Sequence, residues 1–282
     1  GIAAIVRTWA DNLREALEAS GLGEQAHGLA ERYAETFGAA YRDSFSAGEA
    51  LSDIATLKTL TAERPRAVNL YRREGDPDTR TNLKVFTRGA ALALSARVPL
   101  LENMGFRVVN ERTYSIVPQG AKQADRVWLH DMALERAAGG PIDVERLDPL
   151  IEAALMALSQ GLSESDRFDK LVLEAGLVWQ DAALLRAFGR YLRQAGAPYG
   201  QSYIAEALAS HPDLARLIVR LTRTKFDPAM KPAKREKDMA EIGAAIEAGL
   251  AQVTSLDEDR ILRRLVNLIE AAIRTNLFQT DE

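Results

Sequence analysis

The spacing of apolar residues changes twice along this chain, and each spacing admits one kind of backbone. Up to about Glu63 the repeat is helical: Ile5, Trp9, Leu13 and Leu17 recur every fourth residue, and Leu29, Tyr33 and Phe37 do the same. Gly21 and Gly23 separate these two helices, since glycine accepts a left-handed cap. A third helix is expected over Ala47–Leu60, carrying Leu51, Ile54 and Leu57. From Arg64 to Ala138 the repeat drops to two. Ala67–Arg72 and Asn82–Thr87 read as a hairpin around the turn residues Glu74-Gly75-Asp76-Pro77-Asp78. Gly89 introduces a short helix over Leu92–Met104, and Pro99 predicts a kink or a late start in it. Gly105 suits its C-terminal cap. Arg107–Val117 and Arg126–Leu134 follow as strands, turned by Pro118-Gln119-Gly120. Strand, strand, helix, strand, strand describes an antiparallel sheet with a helix on one face.

After Gly139-Gly140-Pro141 the helical repeat returns and persists. Leu147, Leu150, Ile151, Ala154 and Leu158 form one stripe, and Phe168, Leu171 and Val172 start another. Leu184, Leu185, Phe188, Tyr191 and Leu192 form the next, then Leu214, Leu217, Ile218 and Leu221. Met239, Ile242, Ile246, Leu250 and Val253 precede a last helix carrying Ile261, Leu262, Leu265, Ile269 and Ile273. Ser163 with Asp166, and Ser255 with Glu258, have capping-box spacing, and Pro212 fits a first helical turn. The fold class is therefore α+β and predominantly α. It divides into a helical segment over 1–63, an α+β layer over 64–138 and a helical region over 141–282.

Composition removes several functions. The 282 residues hold no cysteine, which excludes disulfides, thiol nucleophiles and cysteine metal sites. With 36 basic and 40 acidic residues the balance argues against a dedicated nucleic-acid binder. No apolar run is long enough to span a membrane. A cytoplasmic location fits this composition. The absent starting Met and the opening Gly1 suggest a piece of something longer.

The search for chemistry assigns no catalytic, cofactor-binding or metal residue. Gly21-Leu22-Gly23-Glu24-Gln25-Ala26 matches a loose dinucleotide pattern, but a helix precedes it where a strand is required. His27, His130 and His211 are far apart, and none has the partner four residues on that marks a zinc helix. They are read as structural, with His211 at a helix start. Glu164-Ser165-Asp166-Arg167-Phe168-Asp169 and Asp257-Glu258-Asp259 fall in first helical turns, where acidic groups complement the helix dipole. Lys225–Lys237, with two prolines, is read as a solvated linker. Trp9, Trp128 and Trp179 are read as core anchors, Trp179 as a buried anchor of the C-terminal helical region.

Several strings carry more than periodicity. They include Leu171-Val172-Leu173-Glu174-Ala175-Gly176-Leu177-Val178-Trp179, Arg223-Thr224-Lys225-Phe226-Asp227-Pro228 and Ser255-Leu256-Asp257-Glu258-Asp259-Arg260-Ile261-Leu262-Arg263. Pro99-Leu100-Leu101-Glu102-Asn103-Met104-Gly105-Phe106-Arg107-Val108-Val109 belongs with them, as does Glu111-Arg112-Thr113-Tyr114. Together they resemble the large bacterial NAD-dependent glutamate dehydrogenases, in the non-catalytic stretch upstream of the dehydrogenase core. The resemblance implies an ACT-like layer between helical motifs. It also implies a parent chain that uses NAD to deaminate L-glutamate oxidatively, with no cofactor in this segment. In ACT domains that bind amino acids a Pro-Gly turn follows the first strand. Here Thr87-Arg88-Gly89-Ala90 keeps the glycine without the proline, so pairing between sheets or subunits is the expectation.

The implied partners are the catalytic core of the same chain and further subunits of a homo-oligomer, with a small effector as an option. Neither nucleic acid nor membrane is among them. Two other readings stay open: a free-standing amino-acid-sensing module, and a helical scaffold for another protein.

Overall fold

The computed structural model describes residues 7–279. The chain divides into two compact units, Gly1–Val98 with Val108–Val144 and Pro99–Arg107 with Glu145–Glu282.

The first unit opens with four helices, α1 (Trp9–Ala19), α2 (Glu24–Tyr33), α3 (Ala39–Arg42) and α4 (Ala47–Thr59). Ile5 lies outside the described residues. Two of these helices start on reciprocal capping boxes, Thr8 with Asp11 and Ser46 with Glu49. The spacing of four through Tyr33, Phe37, Tyr41 and Phe45 outlasts α2. The helix ends at Tyr33, yet the four rings still contact one another in sequence. Trp9 meets Phe37 and Tyr41 edge-on and donates its indole N–H to the Phe45 carbonyl at 2.9 Å.

Four strands follow: β1 (Arg66–Tyr71), β2 (Arg80–Arg88), β3 (Phe106–Ile116) and β4 (Val127–Arg136), in the sheet order β1-β2-β4-β3. The register pairs Lys84 with Asn69 on one side and with Asp131 on the other. Alternate residues share a face, so Asn82, Lys84 and Phe86 look one way and Leu83 and Val85 the other. The Phe86 face closes a core with Leu13, Leu17, Tyr33, Phe37, Tyr41, Phe45, Ile54, Leu57, Ala67, Tyr114, Ile116 and Leu129. Helices and sheet are thus held by one shared apolar cluster.

Between β2 and β3 lies α5 (Leu94–Asn103), through which the division between units passes. It starts at Leu94 and continues through Pro99, so the proline does not set its start. Pro99 is the sixth helical residue, and its missing N–H removes one internal bond.

The second unit holds α6 (Val144–Ser159), a short 3-10 turn at Arg167–Asp169, α7 (Lys170–Ala175), α8 (Trp179–Gln194), α9 (Gln201–Ser210), α10 (Pro212–Phe226), α11 (Pro232–Leu250) and α12 (Leu256–Ala271). α7 packs on α9 and α10, α10 on α11, and α12 on α8 and α9. Leu171, Leu185, Ile204, Leu208, Ile218, Ile261 and Leu265 fill the centre.

Several expectations are corrected here. The α8 stripe is rotated: Leu185 and Leu192 are buried, but Tyr191 is 54% exposed, and Arg186 and Gly189 lie inside. A Cβ on Gly189 would stand 2.9 Å from the Phe168 ring, so only glycine allows this approach without a shift. Lys225–Lys237 is not one linker: Lys225 and Phe226 close α10, and α11 begins at Pro232. None of Trp9, Trp128 and Trp179 is fully buried, and Trp179 is the half-buried first residue of α8. Ser163 does not cap a helix; Asp166 caps the 3-10 turn, with Asp169 reciprocating. Ser255 does cap α12, accepting the Glu258 N–H at 3.4 Å, but the reverse half of that box is missing. The Glu258 carboxylate meets His211 Nε2 instead, at 2.8 Å.

Candidate functional site

The Phe86 face of the sheet changes character along its strands. At one end it is apolar and covered by α1 to α4. In the middle stands Lys84, 3% exposed, whose Nζ lies 2.7 Å from both oxygens of Asp53 on α4. Tyr41 donates its hydroxyl to the same carboxylate. The Lys84 ammonium also lies 3.9 Å from the Phe45 ring centre and 4.8 Å from that of Tyr71, which adds cation–π attraction. Burial pushes the Asp53 carboxyl up, against the pull of Lys84. Burial, reinforced by the Asp53 charge, holds the Tyr41 hydroxyl far above the usual phenol range.

Directly beside Lys84 on the same face, Asp131 accepts from Tyr71 Oη at 2.8 Å and from Arg73 Nη2 at 2.5 Å. Beyond it, toward the start of β2, lies a small cavity of about 120 Å³. Its walls are Arg73, Asp76, Arg80, Asn82, Asn110, Arg112, Asp131 and Ala133. Arg80 sits there because β2 begins with it; Asn110 and Arg112 alternate with β3 residues on the other face. Arg80 Nη2 pairs with Glu135 at 2.9 Å, while its buried Nε has no hydrogen-bond partner. Asp76 accepts from Asn82 Nδ2 at 2.9 Å. Arg112 donates to the Ser44 hydroxyl at 3.1 Å.

On the opposite face His130, 2% exposed, lies 3.1 Å from Glu111 Oε1, which also pairs with Arg97 at 2.8 Å. Burial and the Arg97 charge lower the tendency of this imidazole to protonate, against the pull of Glu111.

In the second unit Arg186 is the main polar node. It donates to Asp166 at 2.9 Å, Asp169 at 2.7 Å and Ser163 at 3.1 Å. The carboxylates of this acidic string thus serve a buried guanidinium as well as a helix start.

The remaining sequence candidates scatter. Gly21 and Gly23 form a turn between α1 and α2, so that string does not fit a dinucleotide phosphate. His27 is exposed beside Glu31, and His211 precedes Pro212 at the start of α10. Asp257, Glu258 and Asp259 occupy the first turn of α12. Among the described residues no three histidine or carboxylate side chains come together to hold a metal. At Gly89, φ is 88°, and its carbonyl accepts the Trp128 indole N–H at 3.1 Å. Periodicity alone does not single out Lys84, Asp53, Arg73, Asp131 or Arg112, since alternating polar residues in a strand usually mark a solvated face.

Four family models match the chain in succession. They are glutamate dehydrogenase helical motif 2 over residues 16–60, the ACT3 domain over 65–147, helical motif 3 over 163–228, and the bacterial NAD-glutamate dehydrogenase catalytic domain over 245–282. The chain is 38% identical over 280 residues to an NAD-specific glutamate dehydrogenase of Halomonas elongata. It is 36% identical to proteins of the same name from Pseudomonas aeruginosa and Mycobacterium tuberculosis. These alignments take in 97–99% of the chain but 17% of each relative. The chain is therefore similar, over nearly all of its own length, to one segment of the bacterial NAD-specific glutamate dehydrogenases.

Proposed function

We propose that this chain is a regulatory and assembly segment of an NAD-dependent glutamate dehydrogenase, itself non-catalytic. The parent would convert L-glutamate to 2-oxoglutarate and ammonium while reducing NAD, and would do so in the cytoplasm as a homo-oligomer. The observation that carries the reading is the order of the family matches. Helical motif, ACT domain and helical motif occupy residues 16–228, and the catalytic-domain match begins only at residue 245. Two buried ion pairs of this segment, Asp53–Lys84 and Asp169–Arg186, fasten elements together. That is the chemistry of a rigid part which transmits or supports. The partners it would meet are the catalytic core of its own chain and neighbouring subunits.

The test uses the full-length enzyme carrying Phe86→Ala, which removes the central ring of the sheet core. Loss of such a ring costs about 3–5 kcal/mol. The expected outcome is a lower assembled mass in sedimentation or an altered turnover, with NAD binding retained. Unchanged mass and kinetics would overturn the reading.

A further inference from the structure

We propose that Lys225 is a positioning residue for the dehydrogenase reaction of the parent chain: from α10 it caps the far end of α12 and so fixes the direction in which the chain leaves that helix. The inference rests on the functional reading above and names the contact through which the segment acts.

Both helices lie in the second unit, but they fall in different family matches. α10 lies within the helical motif 3 match, which ends at residue 228, and α12 within the catalytic-domain match, which starts at 245. The two pack together and run the same way, tied at both ends. His211, just before α10, stands 2.8 Å from Glu258 in the first turn of α12. At the other end of α10, Lys225 Nζ donates to the Ile269 carbonyl at 2.9 Å and the Glu270 carbonyl at 2.6 Å, in the last turn of α12.

The start of α12 is also served by its own sequence, through the Ser255 cap and three acidic residues. The end is not. The last carbonyls of a helix lack internal partners and carry partial negative charge, which favours a cation. α12 has no basic residue in its last turn and holds Glu270 there, a charge of the unfavourable sign. The Ala272 N–H reaches the Leu268 and Ile269 carbonyls, which leaves the Glu270 carbonyl to Lys225. The missing cation thus comes from α10. Lys225 sits in the last turn of its own helix, where it could serve the α10 carbonyls, yet its ammonium crosses to α12. A compact ammonium with three donors suits two adjacent carbonyls. Past the cap Ala272 is extended and Ile273 is 91% exposed, so at that residue the end of α12, not side-chain packing, sets the path of the chain. Placement of this kind matters to catalysis, because a shift of about 1 Å far from the chemistry can cost about a hundredfold in rate.

The test uses the full-length enzyme, with turnover expressed per bound NAD so that unfolded molecules do not count. Lys225→Met should lower kcat by about fivefold or more, with KM for glutamate changed by less than about twofold. Lys225→Arg keeps the charge and the donors and should restore most of the rate. Val172→Ala, buried in α7 of the same unit, is the control that loses stability without touching the cap. In the 282-residue protein, Lys225→Met should speed amide hydrogen exchange in the last turn of α12 while circular dichroism is unchanged. The proposal fails if that exchange is unaltered or if Lys225→Met turns over as the parent does. It also fails if Lys225→Arg is as slow as Lys225→Met, or if Val172→Ala is equally slow per bound NAD. Phe86→Ala measured alongside separates the two levels: an effect there with none at Lys225 sinks only the cap, and no effect at either sinks the functional reading as well.

Discussion

Lys84 is the residue on which the first unit turns. Its ammonium is buried against Asp53 and two aromatic rings. Such a pair is weak as a source of net stability but costly to break. Lys84→Met would leave the Asp53 charge uncompensated and should cost about 3–5 kcal/mol in denaturant unfolding. Replacing both partners, Lys84→Met with Asp53→Leu, should recover much of the loss. A double variant as unstable as the sum of the singles would show that the two charges do not act together. His130 gives a pH-dependent counterpart. In the unfolded chain it takes up a proton near pH 6.5. In the folded chain burial and Arg97 delay this to lower pH, even with Glu111 beside it. Below pH 6.5 the unfolded state therefore binds the extra proton first, and stability falls by up to about 1.4 kcal/mol per pH unit. Above pH 6.5 the contribution is intact. His130→Gln should flatten this fall relative to the parent protein; equal slopes would refute it.

Among the elements, α8 and α12 show what local sequence can and cannot reveal. Ser255 before Asp257, Glu258 and Asp259 announces the start of α12, and the cap is present. Ser255→Ala should cost about 1 kcal/mol. In the full-length enzyme it should alter turnover or assembly beyond that loss if the start of α12, which lies inside the catalytic-domain match, sets the angle to the helices before it. Unchanged kinetics would leave a local cap. The return bond of the box is not legible in the sequence, because Glu258 is claimed by His211, 47 residues earlier. The apolar stripes predict Trp179 as a buried anchor, but its position as first residue of α8 leaves it half-exposed. Trp179→Ala should accordingly cost about 1–3 kcal/mol, less than a fully buried ring would; a loss above 4 kcal/mol would contradict this. The four strands are legible to within about two residues, because a period of two fits little besides an extended strand. The rotated face of α8 is not. A stripe read from Leu184 to Leu192 cannot foresee that Arg186 is neutralised inside by Asp166 and Asp169, or that Gly189 admits the Phe168 ring. The cavity is hidden for the same reason: its walls come from three strands and the β1–β2 turn, and only the register brings Asn82 beside Ala133.

At the scale of the whole molecule, two units with their own cores account for nearly every apolar stripe in the sequence. Among the described residues no helix is long and apolar enough to cross a membrane. The chain spans about a sixth of the length of the NAD-specific glutamate dehydrogenases it matches. On the proposed function, this segment supports and regulates while chemistry belongs elsewhere in the parent. Glutamate-dependent NADH formation by the purified 282-residue protein tests this most directly. The account predicts no NADH above a mock preparation at any enzyme concentration, and formation that scales with the amount of protein would contradict it.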